Sequence, residues 1–188
     1  MRKLLVSGAF LALMTAPALA TGLDIEIAGE GANGIVHVDL FEDVAPGHVA
    51  QIKALAEAGE YDNVVFHRVI EGFMAQTGDV RFGDAEAEDF DMRMAGRGGS
   101  ERADLKAEFS DKSFERGIVG MARSQSPDSA NSQFFIMFEP GPFLNGQYTV
   151  VGEVTSGMEV VDAIKRGEGR NGEVFGEPDR MVKVTVTE

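Results

Sequence analysis

One stretch of the sequence places a cation close to apolar and amide side chains. Arg68 lies within a β-branched and aromatic run, and Phe73, Met74 and Gln76 follow it. A guanidinium beside an aromatic ring, a thioether and an amide can hold an apolar ring while donating hydrogen bonds to the ring's polar neighbour. The other interpretation is that Arg68 lies on the solvent side of a strand and that Phe73 and Met74 are core residues.

Short strands must position these residues. The run from Val64 to Ile70 favours a strand, Glu71 and Gly72 interrupt it, and Phe73 to Thr77 resumes it. This pattern predicts two short strands about a tight bend. Apolar and polar residues alternate in other segments, and the whole chain gives about eight short strands, among them 23–27, 35–41, 117–122 and 181–187.

The segment Gly29-Glu-Gly-Ala-Asn-Gly34 has the spacing of a dinucleotide-binding fingerprint. That fingerprint works only where a helix follows and directs its N-terminus at a pyrophosphate. A strand is predicted to follow here, so the segment is interpreted as a hairpin turn.

Two amphipathic helices are predicted, one from Pro46 to Gly59 and one from Gly157 to Arg166. His48 falls in the first turn of the first helix and is expected to be solvated. His67 alternates with Arg68 and is expected to point to the opposite face, in a packing role. The histidine spacing suggests no metal site.

The N-terminus has the pattern of a secretory signal peptide. Arg2 and Lys3 precede an apolar run, and Ala18-Leu-Ala20 forms a small-x-small cleavage site. The apolar run is too short and interrupted for a membrane span. Cleavage after Ala20 is therefore expected, which leaves one domain, residues 21–188, in the periplasm or the extracellular medium.

Charge and cysteine content exclude several functions. The net charge is −14, and it becomes −16 without residues 1–20, because two cations and no acid are removed. Such acidity argues against nucleic acid or an anionic membrane as a partner. The chain has no cysteine, which excludes disulfides, thiolate metal sites and a cysteine nucleophile.

The stretch from Phe66 to Asp79 resembles the signature of the cyclophilin family of peptidyl-prolyl cis-trans isomerases. It reads Phe-His-Arg-Val-Ile-Glu-Gly-Phe-Met-Ala-Gln-Thr-Gly-Asp, and every fixed position of the family pattern is present. Further similarity lies at Gly117-Ile-Val-Gly-Met-Ala122, at Asn131-Ser-Gln-Phe-Phe-Ile136 and between residues 143 and 154. The resemblance covers Leu23 to Thr187.

This resemblance implies a mainly β fold, a closed eight-stranded antiparallel barrel capped by two α-helices, with a filled interior. Substrate would therefore bind on the outer wall. Arg68 would be the catalytic residue, Gln76 would anchor the peptide, and neither metal nor cofactor would be needed. The family's substrate contacts correspond here to Phe73, Met74, Phe135 and Leu144 for the proline, and to Ala122, the backbone of Arg123, and Gln133 for the residues before it.

Strand periodicity makes part of this arrangement testable. Met74 and Gln76 should share one face of their strand, and Gln133 and Phe135 one face of theirs. Phe134 and Ile136, on the opposite face, should fill the core.

Two aromatic positions depart from the commonest family pattern. Phe143 stands where many cyclophilins have tryptophan, and Tyr148 stands where many have histidine. Both keep an aromatic wall for substrate, but the missing indole N–H makes tight cyclosporin binding doubtful. Arg123 stands where many members have asparagine, and little loss is expected because that contact is mainly through the backbone.

Residues 79–109 form the least regular part of the chain. Asp84, Glu86, Glu88, Asp89 and Asp91 crowd one short run, which is interpreted as a solvated insertion, mobile at its tip. The following Gly96-Arg-Gly-Gly99 resembles the family's glycine turn beside the active site.

The predicted function is acceleration of X-Pro bond rotation in exported proteins, which assists their folding. The partners would be proline-containing polypeptides, and the chain would be a monomer. One alternative is a non-catalytic holdase that grips proline-containing segments. Another is a lipocalin-type carrier, which would need a hollow interior.

Overall fold

The structure is a computed structural model that describes residues 21–188. The predicted signal peptide, residues 1–20, lies outside the described residues. Two helices are present in the described part, α1 (Pro46–Glu57) and α2 (Met158–Ala163), with a 3₁₀ turn at Pro142–Leu144. The strands are β1 (Gly22–Ala28), β2 (Asn33–Leu40), β3 (Val64–Val65), β4 (Arg68–Ile70), β5 (Met74–Thr77), β6 (Ile118–Met121), β7 (Phe134–Met137), β8 (Val150–Ser156) and β9 (Arg180–Thr187).

All nine strands belong to one antiparallel sheet, in the order β3-β9-β1-β2-β8-β6-β7-β5-β4. The sheet is a half-barrel, because no hydrogen-bonded ladder joins edge strands β3 and β4 in residues 21–188. The expectation of a closed eight-stranded barrel is therefore wrong. The expected mainly β fold with two helices is confirmed.

Loops explain why the edges stay unpaired. The predicted strand from Val64 to Ile70 is interrupted at Phe66 and His67, and this gives the two edge strands. The Phe66 N–H donates to the Asp179 carbonyl at 2.9 Å, and the Val69 N–H donates to the Gly172 carbonyl at 2.8 Å. Loop carbonyls thus accept hydrogen bonds from backbone N–H groups at the sheet edge that would otherwise pair with a neighbouring strand.

Side-chain alternation divides the apolar residues into two clusters. The inner cluster lies between the concave side of the sheet and α1, and includes Ile25, Val36, Leu55, Phe66, Phe134, Ile136 and Met181. The outer cluster lies on the opposite side of β5, β6 and β7, and comprises Met74, Phe114, Ile118, Phe135, Met137, Leu144 and Val150. The predicted inward placement of Phe134 and Ile136 is confirmed.

The interior contains no lumen within the described chain. A void of about 10 Å³ lies among seven apolar side chains of the inner cluster. Such a void holds at most about one water molecule. This filling argues against a lipocalin-type carrier. No helix among residues 21–188 is long and apolar enough to cross a membrane.

The turn predicted between the first two strands is confirmed. β1 and β2 pair antiparallel up to Ala28 opposite Asn33, so residues 29–32 connect a hairpin and no helix follows them. Instead of a phosphate, this turn binds a carboxylate of the chain itself. The Gly31 and Ala32 N–H groups donate to Asp179 Oδ1 at 3.1 and 3.0 Å.

Both helices are confirmed, with two differences from expectation. His48 is fully buried and not solvated, because its Nδ1 lies 2.6 Å from Glu108 Oε2, a partner sixty residues away. α2 ends at Ala163, short of Arg166. The Lys165 N–H donates to Asp179 Oδ2 at 2.6 Å, and Ile164 is already extended, so the chain leaves the helix there.

Candidate active site

The candidate site lies where β4, β5 and β7 run side by side. Arg68 on β4 is opposite Gln76 on β5, and Gln76 is opposite Phe135 on β7. These three side chains therefore form one row across the sheet, on the face that carries the outer cluster. Gly72, with φ of +66°, turns the chain between β4 and β5 and fixes this register.

An apolar notch of about 350 Å³ opens beside this row. Its walls comprise ten residues, all of them predicted from the sequence: Arg68, Phe73, Met74, Gln76, Ala122, Arg123, Phe135, Phe143, Leu144 and Tyr148. Met74, Phe135 and Leu144 are buried members of the outer cluster. The structure thus brings an apolar surface and a guanidinium together on the outer wall.

Aromatic packing shapes the notch. The Phe135 ring stacks on Phe114 at 5.8 Å, and the Tyr148 ring meets Phe135 edge-on at 6.0 Å. The Phe73 ring lies 5.4 Å from Phe143, which is 63% exposed. Phe143 is therefore a rim residue whose ring covers Phe73 on one side only.

The Arg68 guanidinium is held at two of its nitrogens. Nε donates to the Asn171 carbonyl and Nη1 donates to Gln76 Oε1, each at 3.0 Å. Nη2 makes no hydrogen bond to any residue in the described range, so its two N–H groups can donate to a ligand. Burial lowers the pKa of Arg68, opposed by the negative charge of Glu173, and the group stays a cation near neutral pH.

A relay of amides extends from Arg68 to a buried carboxylate. Gln76 Nε2 donates to Gln133 Oε1 at 2.9 Å, and Gln133 Nε2 donates to the Gly96 and Gly98 carbonyls at 3.0 and 2.8 Å. The N–H groups of the same two glycines donate to Asp79 Oδ2 at 2.7 and 2.8 Å. Predicted site residue Gln133 lies next to the notch and fixes the orientation of Gln76.

Asp79 is the residue that the sequence analysis missed. It is fully buried, and its Oδ1 accepts from the Arg81 and Phe82 N–H groups, each at 3.1 Å. One carboxylate therefore fixes the glycine turn beside the site, whose resemblance to the family turn was noted. Its position at the end of the signature pointed to a role, but nothing local showed that its Oδ2 would accept from Gly96 and Gly98.

His67, next to Arg68, is buried as predicted. Both of its ring nitrogens lack hydrogen-bond partners in the described structure. Burial therefore lowers the pKa of His67 to about 4, and the ring is neutral at physiological pH. The ring also packs on Gly96, whose φ is +92°. A Cβ there would lie 2.6 Å from His67 Cδ2, so only glycine fits.

Arg123 is partly engaged by its own loop. Its guanidinium lies 4.3 Å from the centre of the Tyr148 ring and donates to the Gln147 carbonyl from Nη2 at 3.0 Å. This cation–π contact fixes the ring at the edge of the notch. Across residues 21–188, no three His, Asp or Glu side chains converge as metal ligands.

A second cavity, of about 450 Å³, adjoins the notch. It shares the walls formed by Gln76, Ala122 and Arg123. Its remaining walls come mainly from the glycine turn at 96–100 and the loop from Ser129 to Gln133, together with Arg81 and Asp104. The two cavities form a continuous surface on either side of Gln76.

Comparison with known proteins agrees with this architecture. Residues 23–186 match the model of the family described as cyclophilin type peptidyl-prolyl cis-trans isomerase. A protein of Brucella suis, named as a probable peptidyl-prolyl cis-trans isomerase, is 55% identical over 189 residues, which cover 98% of this chain and 95% of that protein.

Solved structures share the fold. A cyclophilin from Hirschia baltica is 23% identical, with a TM-score of 0.69 over 87% of this chain and 73% of its own. A cyclophilin-type isomerase from Cryptosporidium parvum, solved in the presence of the dipeptide Ala-Pro, is 25% identical, with a TM-score of 0.73 over 89% and 99% of the two chains. This chain therefore belongs to the cyclophilin-type peptidyl-prolyl cis-trans isomerase family and is an isomerase of that type.

Proposed function

We propose that the notch holds the proline ring of an X-Pro segment and that Arg68 is the catalytic residue. The observation that carries this proposal is a guanidinium with free N–H groups at the edge of an apolar notch. Phe73, Met74, Phe135 and Leu144 contact the ring, and Phe143 and Tyr148 form the outer walls. Gln76, Ala122, the backbone of Arg123, and Gln133 bind the adjoining peptide.

The reaction is a rotation in which no bond breaks. Amide resonance gives a barrier of roughly 18–20 kcal/mol, and uncatalysed X-Pro exchange takes tens to hundreds of seconds. In the twisted transition state conjugation is lost, and the imide nitrogen becomes a pyramidal hydrogen-bond acceptor. Arg68 donates to that nitrogen more strongly than in the planar ground state, where the nitrogen lone pair is delocalised into the carbonyl. Differential binding of this kind lowers the barrier.

The surrounding hydrogen bonds make Arg68 effective. Since Gln76 and the Asn171 carbonyl already fix two of its nitrogens, the guanidinium loses little freedom when the substrate binds. The apolar notch around it excludes water from the rotating bond. A preorganised donor in such a place contributes about 2.7–4 kcal/mol to transition-state stabilisation.

Arg68→Ala tests the assignment. We expect kcat/KM for a proline peptide to fall by roughly 10²–10³, because one preorganised donor is lost, while the peptide Kd stays nearly unchanged. A protease-coupled assay measures the first quantity, and calorimetry measures the second.

Arg102→Ala is the matched control, because this exposed arginine lines neither the notch nor the second cavity. It should keep full activity. Full activity in Arg68→Ala itself would overturn the catalytic role. A wild type that binds proline peptides and accelerates nothing would favour a non-catalytic holdase instead.

The physiological clients are exported proteins, whose folding the isomerase assists. The support is the signal-peptide pattern of residues 1–20, with cleavage after Ala20 and a periplasmic or secreted product. Cell fractionation with N-terminal sequencing tests this placement. A cytoplasmic product that begins at Met1 would contradict it.

The mature protein works as a monomer, without a metal or cofactor, and binds neither nucleic acid nor membrane. The net charge of −16 after cleavage supports the last two statements, since phosphate surfaces attract basic proteins. Cyclosporin binding is weak, because Phe143 offers no N–H donor at the rim. A Phe143→Trp variant that binds cyclosporin no better than wild type would contradict this explanation.

A further inference from the structure

The second cavity differs in charge from the rest of the molecule. The mature sequence carries 15 Lys and Arg residues against 31 Asp and Glu residues. The cavity wall nevertheless contains three arginines, Arg81, Arg97 and Arg123, and one carboxylate, Asp104. The cavity wall therefore carries more positive than negative side chains on a protein whose net charge is negative, and the buried Asp79 carboxylate lies behind its glycine turn.

The cavity arginines also lack acidic partners. Four arginines elsewhere in the described chain each pair with a carboxylate: Arg93, Arg116, Arg166 and Arg180. No carboxylate of residues 21–188 forms a salt bridge with Arg81, Arg97 or Arg123. Asp104 is one negative charge in a wall with three cations, and its Oδ1 accepts from Asn131 Nδ2 at 3.0 Å and not from an arginine.

The Arg81 and Arg97 guanidiniums keep their capacity to bind a ligand, whereas the Arg123 guanidinium is largely occupied by its own loop. Arg123 donates only to backbone carbonyls, and the Arg81 guanidinium lies 5.0 Å from the centre of the Phe82 ring. Arg97 lies in the glycine turn whose carbonyls accept from Gln133. A guanidinium can bind a carboxylate through two parallel hydrogen bonds.

Peptide geometry connects this cavity with the notch. In an extended peptide, successive side chains point to opposite sides, so residues two apart face the same surface. A proline ring in the notch therefore places the side chain two residues earlier against the wall of the enzyme. The shared residues Ala122 and Arg123, proposed to bind the segment before the proline, lead into the second cavity.

We propose that the second cavity selects an acidic side chain, Asp or Glu, two residues before the proline. This specificity rests on the proposed function, since the proline must occupy the notch. Arg97 and Arg81 bind the carboxylate, and the positive cavity offsets the repulsion between an acidic peptide and the acidic protein. The preferred client segment is thus an acidic residue, any residue, then proline.

Two peptides of identical composition test the proposal. In one, Glu lies two residues before the proline and Gln three before it, and in the other the two are exchanged. Overall repulsion cancels because the net charges are equal. We expect kcat/KM to favour the first peptide by about fivefold at low salt, the upper range for an exposed ion pair. The preference should decline in 1 M salt, where the Debye length is about 3 Å.

The double variant Arg81→Gln/Arg97→Gln should abolish the preference and retain turnover of both peptides. The charge-matched control is Arg102→Gln/Lys106→Gln, which removes two exposed cations that do not line the cavity. It should keep the preference. Equal turnover of both peptides by the wild type would overturn the proposed preference for an acidic residue, but it would not contradict the proposed isomerase function.

A preference that persists in Arg81→Gln/Arg97→Gln also overturns it. If neither peptide is isomerised, the proposed function fails instead. In that case the Kd values of the two peptides test the preference for an acidic residue, and equal Kd values would contradict it.

Discussion

The inner and outer clusters are built from alternate residues of the same strands. On β7, Phe134 and Ile136 enter the inner cluster, and Phe135 and Met137 enter the outer cluster. The inner cluster is filled to a void of about 10 Å³, whereas the outer cluster opens into a notch of about 350 Å³. A period of two thus lets a four-residue strand stabilise the fold on one side and form a binding surface on the other.

His67 and Arg68 are adjacent in the sequence but differ in charge. Burial keeps His67 neutral, with its pKa lowered to about 4. Arg68 follows it in the chain, is half-buried, and stays a cation with hydrogen bonds at two nitrogens. The buried side of this segment excludes charge, and the notch side presents it to the ligand.

The largest expected effect on stability comes from truncating one buried side chain in each cluster, Ile136 in the inner cluster and Met74 in the outer cluster. Ile136→Ala and Met74→Ala each remove a buried side chain, so each should lower the free energy of unfolding by about 2–5 kcal/mol in urea titrations. Only Met74→Ala should also raise the KM for proline peptides, because Met74 lines the notch. Equal changes in KM for both variants would contradict the division into two clusters.

The next effect is a pH dependence of stability due to His67. The pKa of His67 is about 4 in the folded protein against an ordinary 6.5, so the unfolded chain binds the proton more readily. As pH falls from about 6.5 to 4, the free energy of unfolding should decrease by roughly 1.4 kcal/mol per unit, and this loss should level off below the folded pKa.

His67→Gln provides the control, because glutamine is similar in size and does not titrate. Its curve of unfolding free energy against pH should lack this contribution, so that the difference from wild type changes between pH 6.5 and 4. Parallel curves would show that His67 is not the group responsible.

The smallest expected effect on stability comes from replacing either of two buried aspartates, Asp79 and Asp179. Asp79 accepts backbone N–H groups at the active site, and Asp179 accepts them at the β1–β2 turn and after α2. Asp79→Asn and Asp179→Asn should each lower the free energy of unfolding by about 1–3 kcal/mol, because acceptors are lost for buried donors.

Catalysis should separate the two aspartate variants. Only Asp79→Asn should reduce kcat/KM, because Asp79 fixes the glycine turn that holds Gln133 and, through it, Gln76. Thermal or urea unfolding and the isomerase assay, performed on the same preparations, give both quantities. A comparable loss of activity in Asp179→Asn would contradict the amide relay.

Local pattern was sufficient for much of the fold and site. The alternation of side chains predicted the face of β5 on which Met74 lies and the face of β7 on which Phe134 lies. Proline and glycine marked the start and the end of the helix that begins at Pro46. The match to a family signature supplied the set of residues that line the notch. These features depend on neighbours within a few positions, or on a resemblance to the family.

Contacts between residues far apart in the chain were not predicted from the sequence. His48 was expected in solvent, because nothing near it indicates Glu108, and α2 was expected to be longer, because Asp179 lies far along the chain. The closed barrel was wrong for a similar reason. Alternation describes the faces of a strand, but it does not show whether loop carbonyls or another strand will accept the hydrogen bonds of an edge.

The most direct test of the account is a methyl NMR titration with a peptide that contains Ala-Pro. The account predicts shifts and exchange broadening at Met74, Ala122 and Leu144 of the notch, and unchanged signals from Ile136 and Met181 of the inner cluster. Perturbation of the inner methyl groups, with the notch methyl groups unaffected, would contradict binding on the outer wall.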